Sequence, residues 1–287
     1  DAAAELNVTP AALSFQIKSL ETHLGSPVFR RLNRAVELTE AGRVLAPGVT
    51  DGFTALSAAW RKTKRLNDHT VLNVTAGPAF TSKWLAPRLY DFAQSHPEVE
   101  LRFSASLRLM DFDRDEVDVA IRFGLGGDEG MFSQSLFQEL VTPMMAPELA
   151  KIYDTPEKLL DAPLIHDESL ANFKDATDWA AWARAAGLEF DTSHGVKFSQ
   201  ADHALDAAIS GAGVVLGRVS LATRALEQRR LVAPFEMSLV PHAQFRLICP
   251  EGTQDRPHVA AFRAWVFEEI QASQKFKAGR TLVPSGA

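Results

Sequence analysis

Cysteine is almost absent from this chain. Cys249 is the only one in 287 residues, which excludes an intramolecular disulfide framework and any metal site built from several thiolates. Leu247, Ile248 and Pro250 surround it, the setting of a buried thiol at a strand end rather than of a nucleophile. No run approaches the roughly 18 consecutive apolar residues of a membrane span, and no secretory leader is read at the start. The cytoplasm is therefore the expected compartment, with no membrane partner. A Gly-x-Ser-x-Gly elbow, a phosphate-binding Gly loop and a metal-spaced His pair are also missing. Neither catalysis nor a cofactor or metal is expected. The chain opens at Asp1 without a Met, inside a helical stretch, and its natural first residues are expected to be missing.

What is present is ordinary globular composition, 46% hydrophobic and 23% charged, over a length suited to two or three domains. The net charge of −6 is unevenly spread. Residues 1–65 carry nine Lys/Arg against six Asp/Glu, and the remaining 222 carry 21 against 30. A mildly basic head on an acidic body suits a small nucleic-acid-binding module fused to a domain that does not bind nucleic acid.

The head reads as a helix, a turn and a helix. Residues 1–6, DAAAEL, are strong helix formers. Asn7 and Val8 break them, Thr9 offers a capping hydroxyl, and Pro10 sits where a first turn tolerates proline. The following helix, to about His23, carries Leu13, Ile17, Leu20 and Leu24 as an apolar stripe, and Gly25 ends it. Ala11, Phe15, Lys18 and Thr22 point away from that stripe, with Ser14 on its flank. Small residues there let a backbone approach the floor of a major groove, Ser14 and Gln16 can read base edges, and Lys18 can meet phosphate. A plain solvated helix face has the same pattern.

Pro27 to Thr39 then reads as two short strands around a basic turn, with Arg30, Arg31 and Arg34 at the tip. As a β-wing beside a recognition helix, such a turn reaches the sugar-phosphate backbone. A solvated charge cluster is the alternative.

The stretch VTPAALSFQIKSLETHLGSPVFRRLNRAVELTEAG, Val8 to Gly42, resembles the DNA-binding signature of LysR-type transcriptional regulators nearly end to end. Its VTPAA opening resembles the subgroup of glycine-cleavage activators and β-lactamase regulators. The resemblance implies a winged helix-turn-helix over 1–42, with Thr9, Pro10, Ala11, Ser14, Phe15, Gln16 and Lys18 facing DNA and Arg30, Arg31 and Arg34 on its backbone. It also places the family's first helix before Asp1. Phe15 departs from the subgroup, which usually has a polar residue there. Packing against a thymine methyl or a sugar edge is the expected role.

A second long helix is expected from Thr39-Glu40 to about Leu66, with Pro47 and Gly48 kinking or weakening it. Leu45, Val49, Phe53, Leu56 and Trp60 form a single apolar seam that needs a partner. That partner is either the chain's own body or, as the family resemblance implies, a second copy paired antiparallel. The basic run 61–65 suits a helix C-terminus, and Asn67-Asp68-His69 reads as a hinge. The linker is thus placed at 43–69.

From Thr70 strands, expected at 71–76, 99–104, 118–122, 164–166, 196–198, 213–217 and 245–249, alternate with helices, expected at 82–95, 156–160, 178–186, 202–210, 220–228 and 259–270, which implies α/β layers. Matches to the same subgroup run through Phe80–Leu89, Asp118–Gly124, Ala207–Arg218 and Cys249-Pro250. They imply two α/β subdomains resembling type 2 periplasmic binding proteins: 70–142 with 245–275, and 143–244 inserted. Residues 276–287 read as a loose tail.

The expected ligand cleft has one wall at Pro78, Ala79, Phe80, Thr81 and Ser82, where a helix N-terminus favours an anionic group. The family often has Ser or Thr at the position of Ala79. The other wall is Ser199, Gln200 and Asp202, with Asp202 equally read as a helix cap. Arg122 and Phe123 end a strand beside the cleft. Arg122 pairs either with a ligand carboxylate or with Asp118 or another nearby acid. His166 reads as structural.

The reading is a ligand-responsive transcription factor. Its expected partners are double-stranded promoter DNA, a small effector such as an amino acid or other small carboxylate, further copies of itself as a dimer or tetramer, and RNA polymerase if it activates. Turnover of a ligand would instead indicate an enzyme. A head that binds no DNA would indicate a solute-binding protein.

Overall fold

The computed structural model describes residues 2–32, 35–65, 70–112, 115–171, 173, 177–189 and 191–285. They fall in two compact units, Asp1–Asn67 and Asp68–Ala287.

In the first unit α1 (Ala2–Glu5) precedes α2 (Pro10–Leu24), with Asn7 between them at φ 54°. The Thr9 hydroxyl oxygen accepts from Ala12 N at 3.2 Å, and Pro10 occupies the first helical position, where no N–H is missed. Gly25, at φ 73°, closes the helix by donating its N–H to Glu21 O. The Glu21 carboxylate accepts from Val28 N at 2.9 Å and Phe29 N at 3.2 Å, which ties the wing to the helix end. Strands β1 (Phe29–Arg31) and β2 (Val36–Leu38) pair antiparallel, Arg30 opposite Glu37. Thr39 donates to Pro27 O and accepts from Gly42 N, starting α3 (Glu40–Arg65). A Cβ on Gly42 would collide with the Val28 carbonyl oxygen, so helix and strand meet only because that residue is glycine. Helix α3 runs through Pro47 without ending.

The second unit holds two sheets. One has the order β4 (Glu100–Ala105), β3 (Val71–Ala76), β5 (Val119–Gly124), β12 (Gln244–Pro250) and β6 (Met131–Phe137); β3 is parallel to β4 and β5, and β12 antiparallel to β5 and β6. The other has the order β13 (Thr281–Pro284), β11 (Met237–Val240), β7 (Val141–Met144), β10 (Val214–Arg218), β8 (Leu164–Asp167) and β9 (Val196–Phe198). Helices α4 (Pro78–Phe80), α5 (Leu89–Ser95), α6 (Pro147–Ala150), α7 (Trp179–Ala185), α8 (Ala201–Ile209), α9 (Val219–Glu227) and α10 (Pro257–Ser273) cover them. The larger core packs Trp84, Phe80, Phe92, Phe262 and Trp265 with residues of both sheets, and the smaller one lies around Trp179 and Trp182.

Several expectations change. The tail is not loose through its length: β13 adds parallel to β11, and Arg280 holds it by donating to Phe235 O at 2.9 Å, Ser238 Oγ at 3.0 Å and Ala233 O at 3.2 Å. The strand's alternation is too short to stand out from a polar tail. The helix expected over 82–95 instead opens at Pro78, becomes a π-turn over Thr81–Leu85 and resumes at Leu89. Pro87, which has no N–H to donate, lies at the break. Strands β6, β7 and β11 were not expected. Each carries polar residues or Pro143 among its apolar ones, which blurs the alternation. The proposed hinge Asn67-Asp68-His69 and Arg34 lie outside the described residues.

Candidate nucleic-acid interface and ligand cleft

Helix α2 is an exposed helix: none of its residues is buried. Leu13 and Ile17 are half-buried and mark its inward side, while Pro10, Ala11, Ser14, Phe15, Gln16 and Lys18 are all exposed. Thr9 is held by its capping bond. Phe15 is 69% exposed. The wing is less free than the sequence implies. Arg30 donates Nε and Nη2 to the Glu37 carboxylate, the shorter contact at 2.7 Å. Both side chains remain half-exposed, so an exposed pair of this kind can exchange partners with a phosphate at little cost. Along α3, Leu45 is half-buried, but Val49, Phe53, Leu56 and Trp60 are exposed, the last three by 67–69%.

In the second unit the two candidate walls do approach each other. Ser82 donates to Asp202 Oδ2 at 3.3 Å, and Lys83 donates to Asp206 at 2.6 Å, so the π-turn after α4 meets α8 directly. The capping expectation for Asp202 fails. Gln200 is the N-cap of α8 and makes no side-chain cap, which leaves Asp202 in the first turn facing Ser82. Asp202 Oδ1 and Thr81 Oγ1 are buried without a hydrogen-bond partner. Phe80 is not a wall residue: it is 1% exposed and stacks on Trp84 and Phe245 inside the core. Its side chain turns inward because the chain enters a helix at Pro78. Pro78 and Ala79 are half-buried, Ser199 is exposed and Gln200 half-buried.

Arg122 donates to Ile121 O at 3.0 Å, to Thr75 Oγ1 at 3.1 Å and, at the limit, to Arg108 O at 3.5 Å. Its acceptors are neutral oxygens rather than Asp118, and burial lowers its pKa. Phe123 packs edge-on to Phe173 and lies 5.1 Å beneath the Arg218 guanidinium. His166 bonds to His194 O at 2.8 Å.

Sequence reasoning missed Arg218 and Asp167. They end the adjacent parallel strands β10 and β8, side chains 7% and 5% exposed. Arg218 Nη2 donates to Asp167 at 3.2 Å and to Ser169 Oγ at 2.9 Å, while its Nε is buried without a partner. A charged residue at the carboxyl end of each of two neighbouring strands was the available signal, since open α/β sheets bind ligands there. Nearby, Glu139 is 1% exposed on the crossover from β6 to β7. It accepts from Leu140 N, Ser220 N and the Ser220 hydroxyl. Burial pushes its pKa up against those bonds.

Among the described residues no group of His, Cys, Asp and Glu could hold a metal ion, and no helix is long and apolar enough to cross a membrane.

Comparison with known proteins gives these features a context. Residues 1–43 match the family described as bacterial regulatory helix-turn-helix protein, lysR family, and residues 65–271 match the LysR substrate binding domain. The chain is 37% identical to the glycine cleavage system transcriptional activator of Escherichia coli strain K12, over 96% of this chain and 89% of that protein. The effector domain of the transcriptional regulator AmpR of Pseudomonas aeruginosa superposes with a TM-score of 0.59 at 30% identity, covering 72% of this chain and 98% of that one. CrgA of Neisseria meningitidis, a LysR-type regulator, shares the fold over 94% of this chain and 92% of its own, at a TM-score of 0.53 and 18% identity.

Proposed function

The chain belongs to the LysR family of transcriptional regulators, and from that premise we propose that it grips promoter DNA as a dimer and answers to a small molecule held between its two effector subdomains. The division used is 1–42 for DNA binding, 43–69 for the linker, 70–142 with 245–275 for one subdomain, and 143–244, extended by β13, for the other.

The observation that carries the effector reading is a set of three polar atoms, Thr81 Oγ1, Asp202 Oδ1 and Arg218 Nε, all buried and all without partners. Thr81 opens the π-turn after α4, Asp202 lies in the first turn of α8, and Arg218 ends β10. A buried polar group left unpaired costs about 1–3 kcal/mol, so such groups favour a ligand that pairs them. A hydroxyl, a carboxylate and a guanidinium together suit a molecule with an acidic and a basic group. An amino acid, or another small carboxylate, is the class. Its carboxylate pairs with Arg218 and Thr81, with Arg122 nearby, and its ammonium pairs with Asp202, with Ser199 and Gln200 on the rim.

The exposed apolar seam Val49, Phe53, Leu56 and Trp60 supports dimerisation through α3. Two copies of α2 then address two half-sites of a promoter in the cytoplasm, with Arg30, Arg31 and Arg34 on the flanking phosphates. Two dimers can join as a tetramer, and an activating form also meets RNA polymerase. Ligand binding shifts the closure of the subdomains only as far as its affinity differs between the two states.

The test is a thermal-shift screen of the full chain against amino acids and small carboxylates. A hit raises the melting temperature with concentration, and Arg218→Ala abolishes the rise. A hit that survives both Arg218→Ala and Asp202→Ala would remove the cleft from consideration.

A further inference from the structure

We infer that Phe15 reads thymine by laying its ring against the C5-methyl group in the major groove, an inference that rests on α2 being the helix that enters that groove. At 100° per residue the half-buried Leu13 and Ile17 define the inner side of α2, and Phe15 falls diametrically opposite. It is the sixth of 15 residues in the helix, within the N-terminal part that meets base edges in helix-turn-helix docking. At 69% exposure it gives little to the packing of its own unit. Phenylalanine is also a weaker helix former than the polar residues usual on such a face. Its benefit therefore comes from a surface outside the fold.

Its neighbours describe that surface. One turn before it is Ala11, small enough for close approach; one turn after it is Lys18; Ser14 stands beside it, and all three are exposed. A partner matched to this face is polar and anionic, yet offers an apolar group at one point. A second apolar helix does not fit, because Phe15 is the one large apolar side chain among small and polar neighbours, Ala11, Ser14 and Lys18, and Leu13 and Ile17 lie on the far side. Duplex DNA fits: in the major groove the thymine C5-methyl is the apolar group, and cytosine lacks it.

The experiment uses the full chain and duplexes recovered by it from a random-sequence pool. Each thymine of the recovered half-site is replaced in turn by deoxyuridine, which removes the methyl and keeps every hydrogen bond and phosphate. For the wild-type chain, one replacement per half-site weakens binding about fourfold, the value of one buried methyl, and about fifteenfold when both half-sites are changed. The Phe15→Ala chain, whose fold is untouched because the ring is exposed, binds thymine and deoxyuridine duplexes equally. The inference is overturned if wild type ignores every replacement, if Phe15→Ala keeps the same thymine preference, or if Phe15→Ala weakens all sequences uniformly, as contact with a sugar would. Recovery of no duplex at all overturns the promoter-binding reading itself, a separate result from a bound duplex indifferent to its methyl groups.

Discussion

Trp60 on α3 and Trp84 in the π-turn after α4 carry the same side chain, but one is 69% exposed and the other 1%. Trp84 is enclosed by Phe80, stacked at 5.0 Å, and by Trp265, edge-on at 6.4 Å. Among the described residues of its own unit, nothing encloses Trp60 beyond the helix it stands on. A large apolar side chain thus states a demand for burial, which Trp84 meets inside its own unit and Trp60 does not meet inside its own. The contrast can be tested by removing each ring. Trp84→Ala should cost the effector unit about 3–5 kcal/mol by denaturant titration, as large-to-small changes in a dense core do. Trp60→Ala should change unfolding by about 0.5 kcal/mol or less while weakening self-association in sedimentation equilibrium. If Trp60→Ala unfolds the chain and leaves its assembly intact, the seam packs on the chain itself and the comparison collapses.

The same contrast governs how far the sequence could be read. The first unit was legible because its devices are local: Thr9 as a cap, Pro10 behind it, Gly25 at φ 73° as a stop, and a short hairpin. Each is set by a few adjacent residues. In the second unit the parallel strands β3, β5 and β10 were legible as apolar runs, because sheets covered on both faces read that way. Strands β6, β7, β11 and β13 were not, because their pairing is decided by partners far away in sequence: β13 by β11, and β6 by β12. The site divided likewise. The position of Thr81 at a helix entry could be read locally. The meeting of Ser82 with Asp202 and of Arg218 with Asp167 needed the fold. Phe80 was misassigned because it stands among the residues read as a cleft wall while its own ring belongs to the core.

Burial in the second unit also encloses charge, which sharpens the comparison in a pH-dependent way. Desolvation raises the pKa of Glu139 more strongly than its bonds from Ser220 and Leu140 and the Arg218 charge lower it. A carboxyl whose folded pKa is raised stabilises the fold fully at pH below its unfolded value. That contribution is lost as pH climbs from the unfolded carboxylate range toward the folded pKa. Glu139→Gln keeps the shape and cannot ionise. The stability of the variant relative to wild type should therefore rise with pH from about 4 upward, by about 1.4 kcal/mol for each unit separating the two pKa values. A gap that shrinks instead would mean that the Ser220 and Leu140 donors outweigh burial.

The smallest effect compares two helix caps of the same kind. Thr9 accepts from Ala12 N at 3.2 Å in the first unit, and Asp178 accepts from Ala181 N at 2.8 Å in the second. Removing either side chain costs about 1 kcal/mol locally. The consequences for the two helices should differ. Helix α7 is anchored by Trp179 and Trp182, which are 1% and 0% exposed, so Asp178→Ala should leave its amides as protected from hydrogen exchange as its neighbours. Helix α2 has no buried residue, and its cap carries a larger share of the interactions that hold the first turn. Thr9→Ala should raise exchange selectively at residues 12–14, about fivefold for a loss of that size, and weaken DNA binding without altering effector binding. Equal protection losses in α2 and α7 would show that burial does not buffer a helix end, and the difference between the two units would then lie in their surfaces alone.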